Sequence, residues 1–109
     1  MSVNDDIRGS VIRLGELVDI QPGAVVSREV MRKQSGTVTV FSFDRGQGLS
    51  EHTAPFDALV EVLEGSLDIT ISGRLHHLES GDSIIMPADM PHALSATMPT
   101  RMLLTLLRE

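Results

Sequence analysis

The sequence predicts an all-β protein, an antiparallel sandwich or barrel, and three observations point to it. Nine glycines and five prolines interrupt the 109-residue chain at short intervals. The segments between them are short and rich in Val, Ile, Leu and Thr, which is typical of strands joined by turns. No long segment has the apolar spacing of an amphipathic helix, so helix-rich fold classes are disfavoured.

The N-terminal region is the part whose structure the sequence leaves open. Residues 1–9 are polar and are expected to form a flexible arm, with residues 10–109 as a single domain. Apolar residues between positions 11 and 18 follow helical spacing, but Gly15 lies among them and weakens a helix. A single helical turn and a strand are both consistent with this segment.

Five later segments carry a strand pattern. Residues 37–43 and 67–72 alternate between apolar and polar side chains, as strands with one buried face do. Residues 59–63 and 83–86 are short apolar runs, and the second of them is followed by a proline. The last run, 102–107, is apolar on both faces, which predicts that both faces are covered.

A second copy of the chain is the expected cover for the outer face of this last run. Leu59 and Leu63 have the outward parity of their own strand and extend the same apolar surface. We therefore expect a homodimer with two-fold symmetry.

The composition excludes several classes of protein. The absence of cysteine rules out a disulfide framework and thiolate metal ligands. The net charge of −6 and the scattered basic residues argue against a nucleic-acid partner. Three phenylalanines, with no tryptophan or tyrosine, leave few stacking surfaces, and no nucleotide cofactor is expected. The chain shows neither a signal peptide nor an apolar run of about 18 residues, so we expect no membrane association and a cytoplasmic location.

Two blocks of glycine and histidine occur in the second half of the chain. In the first block, residues 46–65, Gly46 is followed after five residues by His52, and Gly65 ends the block. The second block, residues 81–96, has a glycine, a proline six positions later and His92 five positions after that proline.

In order and spacing, the two blocks resemble the two-part motif of the cupin family, specifically the small single-domain RmlC-like cupins. The resemblance covers about half of the chain and implies a jelly-roll barrel, also called a double-stranded β-helix, with its pocket inside. In the second block Asp89 stands where the family has glycine, and Ala96 stands where it has asparagine.

The resemblance also implies a metal site, of which half is present. In the family, three histidines and one glutamate hold a divalent ion such as Fe, Mn, Ni, Zn or Cu. His52 and His92 fall on two of these positions, whereas Ala54 and Ala58 fall on the other two and cannot ligate. Sites in proteins normally offer at least three ligands, so the expected site is incomplete.

Two other residues are candidate partners for the two histidines. His76 shares the strand parity of Leu78, a predicted core residue, and is a candidate third ligand, while Gln47 could reach the pocket from a loop. His52 and His92 are also the candidate catalytic residues, for instance as a general base. The residues expected to line the pocket are Gln47, Ala54, Ala58, Val60, Met86 and Met102.

Three functions are consistent with these residues. The first is a cupin that binds a small organic molecule in the barrel, with a weak or incomplete divalent-metal site. The second is a metal-free enzyme in which a buried histidine acts as a general base. The third is a non-catalytic ligand-binding or sensor module that uses the same pocket.

Overall fold

Strands account for most of the chain in a computed structural model, which describes residues 7–108. The described strands are β1 (Val25–Lys33), β2 (Gly36–Phe43), β3 (Gly48–His52), β4 (Asp57–Glu64), β5 (Ser66–Ile71), β6 (Arg74–Glu79), β7 (Ser83–Met86), β8 (His92–Ala96) and β9 (Thr100–Leu107). All paired strands are antiparallel. The predicted all-β, antiparallel fold class is confirmed.

The strands form two sheets that face each other. One sheet has the order β1-β2-β9-β4-β7 and the other has the order β3-β8-β5-β6. The core between them contains fully buried side chains from both sheets, among them Phe43, Val60, Leu67, Ile69 and Met102. This double-sheet barrel is the predicted jelly roll, and one end of its interior holds the site described below.

Four of the strands were not singled out by the sequence pattern. Three of them, β1, β3 and β6, lie at sheet edges, and their side chains are mostly polar or exposed. Edge strands carry charged residues that blunt unwanted pairing, and those residues obscure the alternation expected of a half-buried strand. The fourth, β8, is interior but has only five residues.

The N-terminal segment folds against the outside of the five-stranded sheet. Leu14–Leu17 form a 3₁₀ helix, so the helical turn is the alternative that the structure adopts. Leu14 and Leu17 pack with Val18 against Val40 and Leu103. Much of the arm predicted over residues 1–9 lies outside the described residues, which begin at residue 7.

The apolar β9 strand serves two different surfaces. Met102, Leu104 and Leu106 point into the barrel, whereas Leu103 lies under the N-terminal segment. Leu63 also packs in that outer cluster. Part of the outer face is therefore covered by the chain itself, and Leu107, at 61% exposure, marks the part that is not.

The turn between β4 and β5 requires glycine. Gly65 has φ +95°, and a Cβ at this position would lie 2.4 Å from the carbonyl oxygen of Pro99. Any other residue would meet both backbone strain and a steric clash. Among residues 7–108, no helix has the length and apolar character needed to cross a membrane.

Candidate functional site

The register of two strands brings His52 and His92 together. His52 is the last residue of β3, and His92 is the first residue of β8. The two residues are directly paired across the strands, next to an irregularity in the ladder between Leu49 and His52. Paired residues point to the same face of a sheet, so both imidazoles occupy one end of the barrel. We call them the histidine pair.

The two rings meet edge to face. Their Nε2 atoms are 3.1 Å apart, the ring centroids are 4.4 Å apart, and the ring planes cross at 70°. The other ring nitrogens face backbone carbonyls. Nδ1 of His52 is 2.7 Å from the Ser50 oxygen, and Nδ1 of His92 is 3.1 Å from the Met90 oxygen.

These carbonyl contacts favour one position for the ring protons. A carbonyl oxygen can only accept a hydrogen bond, so the tautomer that satisfies both carbonyls carries its proton on Nδ1 of each ring. In the neutral rings, each Nε2 then presents a lone pair toward the other. Two lone pairs facing each other across 3.1 Å attract a third species between them, either a shared proton or a cation.

A cavity opens from the histidine pair into the barrel. Its volume is ≈ 60 Å³, enough for about four to six water molecules or the same number of non-hydrogen atoms of a ligand. Apart from the two imidazoles, its walls are apolar: Leu49, Ala54, Phe56, Ala58, Met86, Leu94, Met102, Leu104 and Leu106. His92 is 5% exposed while His52 is exposed, so the pair spans the passage from solvent to the interior.

The cavity wall includes four of the six residues expected to line the pocket: Ala54, Ala58, Met86 and Met102. The structure places the other two elsewhere. Val60 is fully buried in the core, farther along β4 than Ala58. Gln47 lies at the opposite end of β3, where its carbonyl accepts a hydrogen bond from the amide of Ala96. Five residues of extended chain, about 16 Å, separate it from His52.

His76 also lies away from the pair. It is half-buried on β6, on the same face as Leu78, but the sheet order puts β5 between β6 and β8. The register also aligns His76, through Ile69, with Leu94, two residues beyond His92. Two strand spacings and two residues amount to roughly 11–12 Å between parallel side chains, and His76 does not line the cavity. Among residues 7–108, no group of three or more His, Cys, Asp or Glu side chains has the geometry to hold a metal ion.

His77 belongs to a separate cluster on the surface. Its Nδ1 is 2.6 Å from the Asp68 carboxylate, and its Nε2 is 3.3 Å from the Glu79 carboxylate. The hydrogen bond to Asp68, and then the one to Glu79, raise the pKa of this imidazole above its ordinary value. Each ring nitrogen serves a different carboxylate, so the cluster ties β5 to β6 rather than forming a pocket.

The spacing of the histidine pair fits two neighbouring positions around one metal ion. With metal–nitrogen bonds of about 2.0–2.1 Å, two imidazoles lie about 2.9 Å apart at a 90° angle and about 3.3 Å apart at a tetrahedral angle. The observed 3.1 Å falls between these values. Metal-bound histidines commonly donate their other N–H to a backbone carbonyl, as both rings do here. The pair therefore suits half of a four-ligand site.

Several wall residues are not among the six that were expected to line the pocket: Leu49, Phe56, Leu94, Leu104 and Leu106. Strand parity carries the signal for three of them. Leu94 shares the face of His92, and Leu104 and Leu106 share the face of Met102, because alternate residues of a strand point the same way. Phe56 lies in the loop between β3 and β4, where no such periodicity applies.

Comparison with known proteins identifies similar barrels. Residues 39–106 match the family model described as "Cupin domain". A conserved protein of unknown function from Streptococcus pyogenes is 36% identical, and the match covers 100% of this chain and 96% of that one, with a TM-score of 0.90. A Cupin 2 conserved barrel domain protein from Leptotrichia buccalis is 37% identical over 85% of this chain, with a TM-score of 0.82. The match spans only 45% of that longer protein. No curated protein matches the chain.

Proposed function

The chain belongs to the cupin family, and from this premise we propose that its barrel cavity binds a small organic molecule at the histidine pair. The observation that carries the proposal is the convergence of two Nε2 atoms, 3.1 Å apart, on the wall of an otherwise apolar cavity. Both atoms present lone pairs, since both Nδ1 atoms are engaged by carbonyls. A polar pair in an apolar cavity is the usual design of a small-molecule site.

The dimensions and walls of the cavity restrict the ligand. A volume of ≈ 60 Å³ admits about four to six non-hydrogen atoms, so only a short organic molecule or one end of a longer one fits. Its polar group would lie at the histidine pair, and its alkyl part would contact Met86, Met102 and Leu94. Methionine side chains adapt to ligands of different shape, which suits such a wall.

A weak divalent-metal site is the finer part of the proposal. Nε2 of His52 and Nε2 of His92 would hold the ion, and water or ligand oxygens would complete its coordination. A bound divalent ion supplies a Lewis acid that polarises a carbonyl or carboxylate oxygen. The chain's own residues contribute orientation: the Ser50 and Met90 carbonyls hold the rings, and the apolar wall excludes water.

The same contact supports a metal-free alternative. When one proton lies between the two Nε2 atoms, the pair carries a single positive charge, and either ring can deliver or accept that proton. Such a pair can act as a general acid or base toward a ligand in the cavity. A ligand that binds without being converted would instead indicate a sensor.

Zinc titration of the purified protein tests the metal site. The protein is prepared without a metal-affinity column, and Zn²⁺ uptake is measured by calorimetry for the wild type, His92→Gln and His77→Gln. We expect one ion per chain in the wild type and in His77→Gln, the control for surface histidine, and none in His92→Gln. Uptake below about 0.1 ion per chain, with Fe, Mn, Ni and Cu as well, would show that the metal part is wrong.

Ligand binding is tested separately by thermal unfolding with short alcohols, amines, aldehydes and carboxylic acids, each with and without Zn²⁺. A ligand that enters the cavity raises the Tm of the wild type but not that of Met86→Trp, whose indole would fill the cavity. If no compound of this size distinguishes the two proteins, the small-molecule site is refuted.

We also propose that the chain forms a homodimer through the uncovered part of the five-stranded sheet. Strand register places four apolar residues and one threonine in a row across all five strands, here called the apolar row: Met31, Val38, Thr105, Leu59 and Ile85. Within this row the edge residues Met31 and Ile85 are 56% and 61% exposed. Two hollows of ≈ 260 and ≈ 220 Å³ flank the ridge formed by Thr105 and Leu107.

The neighbouring row supports a second copy as the partner. It places Lys33 at one end and Asp57 toward the other, with Leu107 between them. A two-fold axis along β9 would set Met31 against the partner's Ile85 and bring Lys33 near the partner's Asp57. Opposite charges at the ends of an apolar row fit a self-complementary interface.

Light scattering with matched variants tests the dimer. Ile85→Lys places a charge in the apolar row and should give a monomer, whereas Leu75→Lys, at an equally exposed leucine of the other sheet (63% exposed), should remain dimeric. A monomeric wild type at high protein concentration, or a dimer that Ile85→Lys leaves intact, would refute this interface.

A further inference from the structure

Two loops flank the histidine pair and are fastened to each other. Residues 53–56 connect β3 to β4, and residues 87–91 connect β7 to β8. The amide of Asp89 donates to the Ala54 carbonyl at 2.8 Å, and the amide of Ala88 donates to the Asp57 carboxylate at 2.8 Å. Asp57 begins β4 and points away from the cavity, yet its side chain reaches the loop that precedes His92.

That loop also contains the acceptor for His92. The carbonyl of Met90 accepts the hydrogen bond from Nδ1 of His92. The corresponding acceptor for His52 is Ser50, which belongs to strand β3 itself. The proton position on His52 is therefore determined by a strand, whereas the proton position on His92 depends on a loop.

The loop includes one residue with a left-handed backbone. Asp89 has φ +66°, in the left-handed region that non-glycine residues rarely adopt. Such a residue persists when surrounding contacts determine its position. The two hydrogen bonds to Ala54 and Asp57 are contacts of that kind, and the Asp57 carboxylate provides the side-chain part of them.

His92 has a competing arrangement close in free energy. If its proton moved to Nε2, the hydrogen bond to Met90 would be replaced by one to Nε2 of His52, which is 3.1 Å away. The exchange leaves the number of hydrogen bonds unchanged, so the two tautomers are close in free energy. A small displacement of the Met90 carbonyl is therefore enough to change which ring nitrogen carries the proton.

We propose that Asp57 is a positioning residue that keeps the Nε2 lone pair of His92 available to a ligand. By holding Ala88, its carboxylate fixes the loop and the Met90 carbonyl, so His92 stays protonated on Nδ1. Without it, His92 donates a hydrogen bond from Nε2 to Nε2 of His52, and neither Nε2 atom has a lone pair free for a ligand. The inference rests on the proposed function only in taking the pair as the binding site.

Nitrogen NMR of the histidine rings in metal-free protein tests the link directly. Spectra are recorded at a pH at which the nitrogen shifts show both rings to be neutral. In the wild type we expect both rings to be protonated on Nδ1. In Asp57→Ala we expect His92 to change to the Nε2–H form while His52 is unchanged. Asp57→Asn keeps an acceptor oxygen and should resemble the wild type.

Two outcomes would overturn the proposal. One is an Asp57→Ala protein in which His92 remains protonated on Nδ1. The other is a wild type in which His92 already carries its proton on Nε2. This second outcome can be observed even if Asp57→Ala fails to fold. Lys33→Gln is the control for the dimer face, because it removes the charge opposite Asp57 without touching the loop.

Zinc affinity separates this inference from the proposed function. If the wild type binds Zn²⁺, Asp57→Ala should weaken the affinity about 10- to 100-fold, as loss of an outer-shell partner does, and Asp57→Asn should not. Equal zinc affinity in Asp57→Ala would count against the positioning role. If the wild type binds no zinc, the metal site is wrong, but the ring spectra still decide whether Asp57 controls His92.

Discussion

Replacing Ala58 by glutamate should convert the histidine pair into a three-ligand zinc site. Ala58 is 6% exposed and lines the same cavity as both histidines, and it stands at the motif position where the family carries its carboxylate. The added carboxyl would lie against the apolar wall. Without a metal ion it would stay protonated, because an unpaired charge is not stable there.

The loss of stability in the metal-free variant follows from this protonation. A carboxyl that stays neutral at pH 7, instead of ionising with a pKa of about 4.3, lowers the free energy of unfolding by about 3.7 kcal/mol. In a domain of this size that corresponds to a fall in Tm of about 15 °C. Zinc at one hundred times its dissociation constant returns about 2.7 kcal/mol, most of the loss.

Thermal unfolding followed by circular dichroism, with and without Zn²⁺, measures both steps. Ala58→Gln is the matched control, since it has nearly the same volume but brings no charge and only a weak ligand. The reasoning is refuted by a folded Ala58→Glu protein whose Tm does not respond to zinc. It is equally refuted if zinc raises the Tm of Ala58→Gln as much as that of Ala58→Glu, because the side chain at position 58 would then not act as a ligand.

Three further predictions concern stability. Gly65→Ala should destabilise the fold by more than about 2 kcal/mol in urea unfolding, because its Cβ would meet a backbone oxygen at 2.4 Å. The control Gly73→Ala, at φ +81° with open space around it, should lose only about 1–2 kcal/mol. Equal losses in the two variants would contradict the clash. His77→Gln should lower the Tm below about pH 6.5 and have little effect at high pH. The hydrogen bonds to Asp68 and then Glu79 raise the folded-state pKa of His77, so the stability that they contribute is lost as the pH rises through that pKa. A Tm difference that does not depend on pH would exclude this cause. Met102→Ala, at a fully buried side chain, should cost about 2–5 kcal/mol in urea unfolding and enlarge the cavity, and a neutral effect would mean that the barrel collapses to fill the space.

The fold was largely predictable because five of its nine described strands follow simple patterns. The alternation in β5 and the apolar runs in β4, β7 and β9 mark strands with one or both faces buried. Three of the four edge strands, β1, β3 and β6, were not recognised because their side chains are mostly polar or exposed. The 3₁₀ turn at Leu14–Leu17 could not be chosen over a strand from local spacing, because contacts with Val40 and Leu103 hold it.

Only the part of the site that follows from motif spacing was predictable. The two blocks singled out His52 and His92, but their 3.1 Å contact depends on the register of β3 with β8, which no local pattern reveals. His76 has the inward parity that makes it a candidate, but parity says nothing of the strand that separates it from His92. Strand parity points the side chain of Asp57 outward, away from the cavity, and this direction lets it reach Ala88.

The charge of a ligand distinguishes the two forms of the proposed site. The described residues that line the cavity include no Lys or Arg and no carboxylate. The two Nε2 atoms can accept hydrogen bonds, so an alcohol or amine can bind to the bare pair. A carboxylate has no donor there unless a metal ion or a shared proton lies between the rings. Carboxylate binding that requires zinc would therefore favour the metal site, while carboxylate binding that requires only low pH would favour the shared proton.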